Sequence, residues 1–244
     1  MKQNFLWQNK LNQWVDLDSN MKIYPTITTL VDFNEKINEV NTLGLKEVCV
    51  FFTGLNFEER KDLISKIKNS PIKEIPFAHI RTDMTIEELD FLIENYNTKR
   101  FNIHTEKEYP LVYDYSKYKD LIFIENVHHI LDEEEINKWA GICLDLSHLE
   151  NERLMNNHIF NENMEIAKRN KIGCNHISGA RGEININEKG EERYDDHFAR
   201  DFSDFDYLKK YEKNLFSNFC AMELNNSIEF QLKAIDYINK IMNE

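Results

Sequence analysis

Cysteine, glycine, proline and basic residues are all scarce in this 244-residue chain. The four cysteines, Cys49, Cys143, Cys174 and Cys220, sit singly in apolar runs. None has the CxxC spacing of a zinc or redox site. They read as buried free thiols of a reducing compartment. Thirty basic residues stand against 43 acidic ones, a net charge of −13. So acidic a chain repels polyanions at long range. That argues against extended nucleic-acid binding and leaves a small molecule or a short phosphoester as substrate. No apolar run approaches the ~20 residues of a membrane span. The N-terminal "MKQNFLWQNKLNQW" has no uninterrupted apolar stretch of the kind a secretory signal needs. The expected location is cytoplasmic. The 7 glycines and 4 prolines carry no functional implication.

What the chain does have is eight apolar strand-like runs: "KIYPTI", "KEVCVFF", "IPFAHI", "RFNIHT", "LIFIENV", "GICLDLSHL", "KIGCNHIS" and "NFCAMELNN". Helical patterns lie between most of them. "TIEELDFLIENY" opens with Thr85 and Glu88 in capping-box spacing, and "DEEEINKW" places Asp132 and Glu135 the same way. "NERLMNNHIFNENMEIAKRN" can hold a helix of five turns, and "SIEFQLKAIDYINKIM" closes the chain with apolar residues at helical intervals. Strands alternating with helices predict βαβ units and a parallel sheet. Eight units in this length predict an α/β fold with a single (β/α)8 TIM barrel over residues 21–244. The fourth and fifth connections, around "EKEYPLVYDYSKYKD" and after, should be short or irregular. Residues 1–20 form an N-terminal extension, in which Trp7, Leu11 and Trp14 stand at helical spacing and suit a plug at the barrel bottom.

Polar residues gather at the C-terminal ends of these runs. They are His79, His104, Glu125, Asp145 with His148, His176 and Glu223, and Asp195-x-His197 follows in the long connection after the seventh run. Side chains alternate faces along a strand. Phe219, Ala221 and Glu223 therefore share one face, as do Leu121, Phe123 and Glu125. The opposite faces are aliphatic and suit packing under helices. The acids are expected to point inward at the barrel mouth, where barrel active sites lie. His148 should follow on the loop above Asp145. A single strand-end histidine is more often a hydrogen-bonded structural residue, and a single glutamate more often pairs with a basic residue. Five histidines with four acids in one mouth are a different case, because crowded carboxylates repel one another until something neutralises them. A divalent ion does so, and mixed His/Asp/Glu ligation suits zinc, manganese or iron. His128, His129 and His158 read as surface residues or as residues behind the ligands.

The series "FIEN", "CLDLSH", "NHISG", "DDH" and "MELN" resembles the xylose isomerase-like TIM-barrel superfamily, in that order and over residues 22–240. This group includes endonuclease IV, sugar epimerases and multinuclear iron oxidases. The resemblance implies a metal-binding core of Glu125, Asp145, His176 and Glu223. By likeness to the endonuclease IV-like members it adds His79, His104, His148, Asp195 and His197, nine ligands for two or three ions. Two features depart from those members. No glycine follows the D-x-H pair in "FARDFSDFDYL", and their N-terminal strand motif is absent from "KIYPTITTLVDF". The reading this favours is a metal-dependent phosphoester hydrolase, with Glu125 bridging two ions and Glu223 beside it as the catalytic carboxylates. Arg81 and Arg181 are candidates for phosphate contact, with structural ion pairing as the equal alternative. A sugar isomerase or epimerase would use Glu125 and Glu223 as base and acid. An iron oxidase acting on a peptide, or a barrel that binds metal or sugar without turnover, are the further alternatives.

Overall fold

Pro25 splits the first barrel strand, because it has no N–H to give to a ladder. The two parts are β1 (Lys22–Tyr24) and β2 (Thr26–Ile27). Our computed structural model of the protein describes residues 21–186 and 190–243. The expected helix with Trp7, Leu11 and Trp14 lies outside them. The other seven apolar runs form β3 (Cys49–Phe51), β4 (Phe77–His79), β5 (Arg100–Ile103), β6 (Ile122–Glu125), β7 (Ile142–Asp145), β8 (Ile172–Ile177) and β11 (Phe219–Met222). All pair in parallel. β1 joins β11 while β2 joins β3, so the split strand closes the ring into a (β/α)8 TIM barrel.

Helices α1 (Phe33–Leu43), α2 (Phe57–Lys68) and α3 (Ile86–Tyr96) fill the first three connections. The capping box of Thr85 and Glu88 forms as its spacing predicts. The fourth connection holds only a 3-10 turn at Ser116–Tyr118, and the fifth only the four-residue α4 (Glu133–Ile136). Asp132 caps α4, but Glu135 does not complete a box. Its carboxylate instead accepts from Glu106 N at 2.6 Å, tying the fourth connection to the fifth.

The five-turn helix expected from "NERLMNNHIFNENMEIAKRN" is two helices, α5 (Leu146–Met155) and α6 (Asn157–Arg169). Asn156 ends one, and its side chain caps the next at Ile159 N. α5 starts directly after β7, so His148 sits in its first turn and not on a loop. After β8 an antiparallel hairpin, β9 (Gly179–Ile186) and β10 (Glu192–Asp196), stands outside the barrel sheet. A 3-10 helix at Phe202–Lys210 then leads back toward β11, and α7 (Ile228–Asn243) follows.

The inward faces of the strands stack Tyr24, Cys49, Phe51, Phe77, Phe123, Cys143, Cys174 and Ala221 inside the barrel. A larger aliphatic layer lies between strands and helices. All four cysteines are buried and free. One irregularity matters for the site. Ile142 pairs with Ile172 but Cys143 with Cys174, so Gly173 is an extra residue, a β-bulge. The bulge turns Cys174 and His176 inward. A Cβ at Gly173 would stand 1.9 Å from the Phe123 ring, so only glycine fits there.

Candidate metal centre

The inward alternation that fills the barrel with apolar residues ends at its mouth in ligands. His79 ends β4, Glu125 ends β6 and Asp145 ends β7. His176 lies on β8, His104 just after β5 and Glu223 just after β11. Asp195 comes from β10, and His197 follows it by two residues. Asp145 divides its oxygens between two tasks. Its Oδ1 accepts from Ser147 N (2.7 Å), Ser147 Oγ (2.6 Å) and His148 N (2.8 Å), capping α5. Its Oδ2 is left facing the cluster.

Glu125 is the centre of the arrangement. Its Oε2 lies 3.6 Å from His79 Nδ1 and 3.9 Å from His104 Nε2. Its Oε1 lies 3.4 Å from His176 Nδ1 and 3.9 Å from His148 Nε2. His176 Nδ1 is also 3.1 Å from Glu223 Oε2, and His197 Nε2 is 3.7 Å from Glu223 Oε1. Three overlapping groups have donor atoms within 4.8 Å of one another: His79, Glu125 and His176; Glu125, Asp145, His148 and Glu223; and His148, His197 and Glu223.

The donor set fits divalent ions. Buried polar atoms ordinarily have partners, yet His79 Nδ1, Asp145 Oδ2, both ring nitrogens of His176 and Glu223 Oε2 are buried without a hydrogen bond. All of them belong to this cluster. Glu125 and His79 are each 1% exposed, and Asp145 and His176 are 0% exposed. The His104 and His197 side chains, 26% and 33% exposed, form the wet rim. Burial and the neighbouring charges move these groups apart in their titration. Burial lowers His79 to about 3 against the pull of Glu125. Burial raises Asp145 to about 6, against the pull of His148. His148 is raised to about 10, because Asp145 and Asp195 outweigh its burial. Glu223 is held well below the usual carboxylate range despite burial, chiefly by His176 and His197. Such divergence among close neighbours is of the kind found at functional sites.

Asp195 is placed differently from the other acids. Arg193 grips it with Nε on Oδ1 (2.8 Å) and Nη2 on Oδ2 (2.6 Å), and His148 Nδ1 donates to the same Oδ2 at 2.6 Å. Arg193 Nη1 reaches His128 Nε2, and His128 Nδ1 lies 3.5 Å from Glu152. His128 therefore contacts Arg193 from the surface side, its side chain 40% exposed, and His158 is exposed on α6. Arg81 is paired through both ends of its guanidinium with Asp83 (2.8 and 3.0 Å) and donates to Thr53 O. Arg181 binds Asp204, Asp196 and Phe198 O, which fixes the loop carrying His197. A cavity of about 570 Å³ opens beside the mouth, lined by Thr105, Lys107, His129 and Arg169 among others, but by no ligand of the cluster.

Sequence reasoning missed two residues. Asn102 donates to Glu125 Oε2 at 2.5 Å. It stands two before His104 in "RFNIHT", so strand alternation alone could have placed it. Arg193 stands two before Asp195 on β10, but the ladder is irregular between them, so alternation gave no clear signal of their pairing.

No protein-family model matches the chain, and no curated protein does. Solved structures do. A xylose isomerase domain protein from Planctomyces limnophilus is 11% identical, with 93% of this chain and 98% of that one covered and a TM-score of 0.48. A xylose isomerase-like TIM barrel protein from Mycobacterium smegmatis, in complex with magnesium, is 10% identical, with 86% and 88% covered and a TM-score of 0.46.

Proposed function

We propose that the protein is a metal-dependent hydrolase of small or short phosphoesters. One observation carries this reading. The two oxygens of Glu125 face two different sets of ligands, His79 and His104 on one side, His148 and His176 on the other. A carboxylate so placed suits a bridge between two ions. A pair of divalent ions, when bound, supplies Lewis acidity for water activation near pH 7 and offsets charge on a phosphoryl group. His79, His104, Asp145, His148, His176, His197 and Glu223 would hold the pair with Glu125. Asn102 fixes the rotamer of Glu125, and the Asp145 cap fixes the first turn that carries His148. The closed floor keeps bulk water out below the ions, and the rim at His104 and His197 admits substrate. The test is turnover of bis(p-nitrophenyl) phosphate by protein loaded with zinc or manganese. Activity that falls to background in Glu125→Gln is expected. Absence of turnover with both ions bound overturns the reading.

A second reading, a sugar isomerase or epimerase, is favoured by a different observation. The three arginines near the mouth, Arg81, Arg181 and Arg193, are all spent on carboxylates. An uncharged polyol needs no free cation. Glu125 and Glu223 would then move a proton between them across the substrate. Exchange of a substrate carbon-bound proton with deuterium from solvent would select this reading over hydrolysis.

A further inference from the structure

We infer that Arg193 and Asp195 form a built-in counter-charge that positions His148 and limits the centre to two ions. The inference rests on reading the cluster as a metal centre. Among the four acids of the nine expected ligands, only Asp195 accepts hydrogen bonds on both carboxylate oxygens. The forked pair with Arg193 uses Oδ1 and Oδ2, and Oδ2 also takes the proton of His148 Nδ1. Forked arginine–carboxylate pairs are among the strongest hydrogen-bonded contacts in proteins. Both residues are buried, so water does not compete for either. A metal bound through Asp195 would have to break that fork. It would also meet the guanidinium, whose Nη2 is 3.4 Å from His148 Nδ1.

With Nδ1 committed to Asp195, His148 has only Nε2 to offer. That nitrogen lies 3.7 Å from Asp145 Oδ2 and 3.9 Å from Glu125 Oε1, facing the cluster. A carboxylate behind a ligating histidine fixes its tautomer and ring orientation. Charge agrees with this assignment. Glu125, Asp145, Asp195 and Glu223 are the four carboxylates among the nine expected ligands, all buried, and Arg193 offsets one of them. Two divalent ions and a hydroxide bring the set to neutrality. A third divalent ion would leave surplus positive charge in a dry mouth, which is costly. Asp195 is thus a positioning residue, and Arg193 holds a place that another cation would otherwise take.

The experiment is metal counting. Protein stripped with chelator is titrated with Mn²⁺ by calorimetry, and bound metal is counted after dialysis. The wild type is expected to bind two ions. Asp195→Asn should still bind two, with one affinity weakened ~10–100-fold and the other unchanged. A general loss of packing would weaken both equally. Arg193→Gln, a second variant should Asp195→Asn not fold, frees the Asp195 carboxylate and should admit a third ion, while Arg193→Lys, which keeps the charge, should hold the count at two. A count of two in Arg193→Gln would show that Arg193 sets no limit. Three ions in the wild type, or one ion fewer in Asp195→Asn, makes Asp195 a ligand and overturns the inference. No bound ion in a folded wild type sinks the metal centre itself, a distinguishable result.

Discussion

Asn102 donates its side-chain amide to Glu125 Oε2 across 2.5 Å at the floor of the barrel mouth. The bond is fully buried, and among the described residues it is the shortest polar contact of the carboxylate at the centre of the cluster. The other neighbours of Glu125, His79, His104, His148 and His176, stand at 3.4–3.9 Å. Removing the amide leaves Glu125 free to rotate away from a shared position. Asn102→Ala is expected to keep the fold and to weaken metal binding ~10–100-fold, read by competition with a chromogenic chelator. Unchanged affinity would show that Glu125 does not depend on this bond.

Asp145 allows its cap and its place in the cluster to be tested separately. Asp145→Asn keeps an oxygen for the α5 cap but removes the charge facing the cluster. Asp145→Ala removes both, and loss of the cap adds ~1 kcal/mol. In the wild type, metal at 100 times its dissociation constant stabilises by ~2.7 kcal/mol. For a chain of this size that is a rise in Tm of about 5–10 °C. Calorimetric scans with and without metal should show this rise in the wild type. Asp145→Asn and Glu223→Ala should lose most of it. A full rise in both variants would exclude them as ligands.

Most of the barrel was legible because period-two alternation and apolar runs report burial directly. The strand ends His79, Glu125 and Asp145 could be placed from alternation alone. The break at Asn156 was not legible, because a capping asparagine inside a polar helical pattern has the same residue types as an exposed helix position. The position of His148 was misjudged because α5 begins with no connecting loop. The partnership of Arg193 with Asp195 was out of reach for a related reason. A D-x-H pair gives the spacing of ligands, and only the fold shows that a neighbouring guanidinium has already taken the carboxylate.

The metal-free protein should lose stability as pH rises. His148 is raised to about 10 from a usual 6.5, so its contribution is complete below pH 6.5 and is lost as pH climbs through 10. Asp145, raised by burial to about 6 from 3.8, has the same sign. Its protonated form is favoured below pH 3.8, and that advantage is lost as pH passes 6. Glu223 runs oppositely, stabilising above its usual 4.5 and losing that contribution as pH falls. Tm of the stripped protein should therefore fall between pH 6.5 and 10. Bound metal takes the place of those protons, so the metal-loaded protein should fall less. Equal slopes for the two forms would contradict this.

Arg60 tests the scaffold apart from the site. It is 1% exposed on α2, and its guanidinium binds Glu88 (2.8 Å), Asp83 (3.3 Å) and Leu55 O (3.2 Å). Glu88 also closes the α3 capping box, so a single guanidinium joins two helices and the loop of Arg81. Breaking a buried pair from one side costs ~3–5 kcal/mol. Arg60→Ala should lose about that much in urea unfolding while its metal count stays that of the wild type. A loss under ~1 kcal/mol, the range of surface pairs, would contradict it.

Gly173 joins packing to the site. It is the extra residue of the β8 bulge, and the Phe123 ring occupies the space where a side chain would begin. Phe123 precedes Glu125 by two residues on the same inward face of β6, while Cys174 and His176 owe their inward direction to the bulge. In Gly173→Ala the new methyl meets three ring atoms within 2.6 Å, and either the ring or the bulge must give way. Overpacking of this kind costs ~1–3 kcal/mol. Tm should fall by about 3–10 °C. The ring cannot move without pressing on β6, and the bulge cannot move without turning His176. Metal affinity is therefore expected to fall as well. Gly182→Ala is the control, since nothing lies within 4 Å of its Cβ position. It should change stability by no more than about 0.5 kcal/mol and leave the metal count unchanged. If Gly173→Ala proved as benign as Gly182→Ala, the bulge would not be held by the Phe123 ring, and the inward aim of His176 would need another cause.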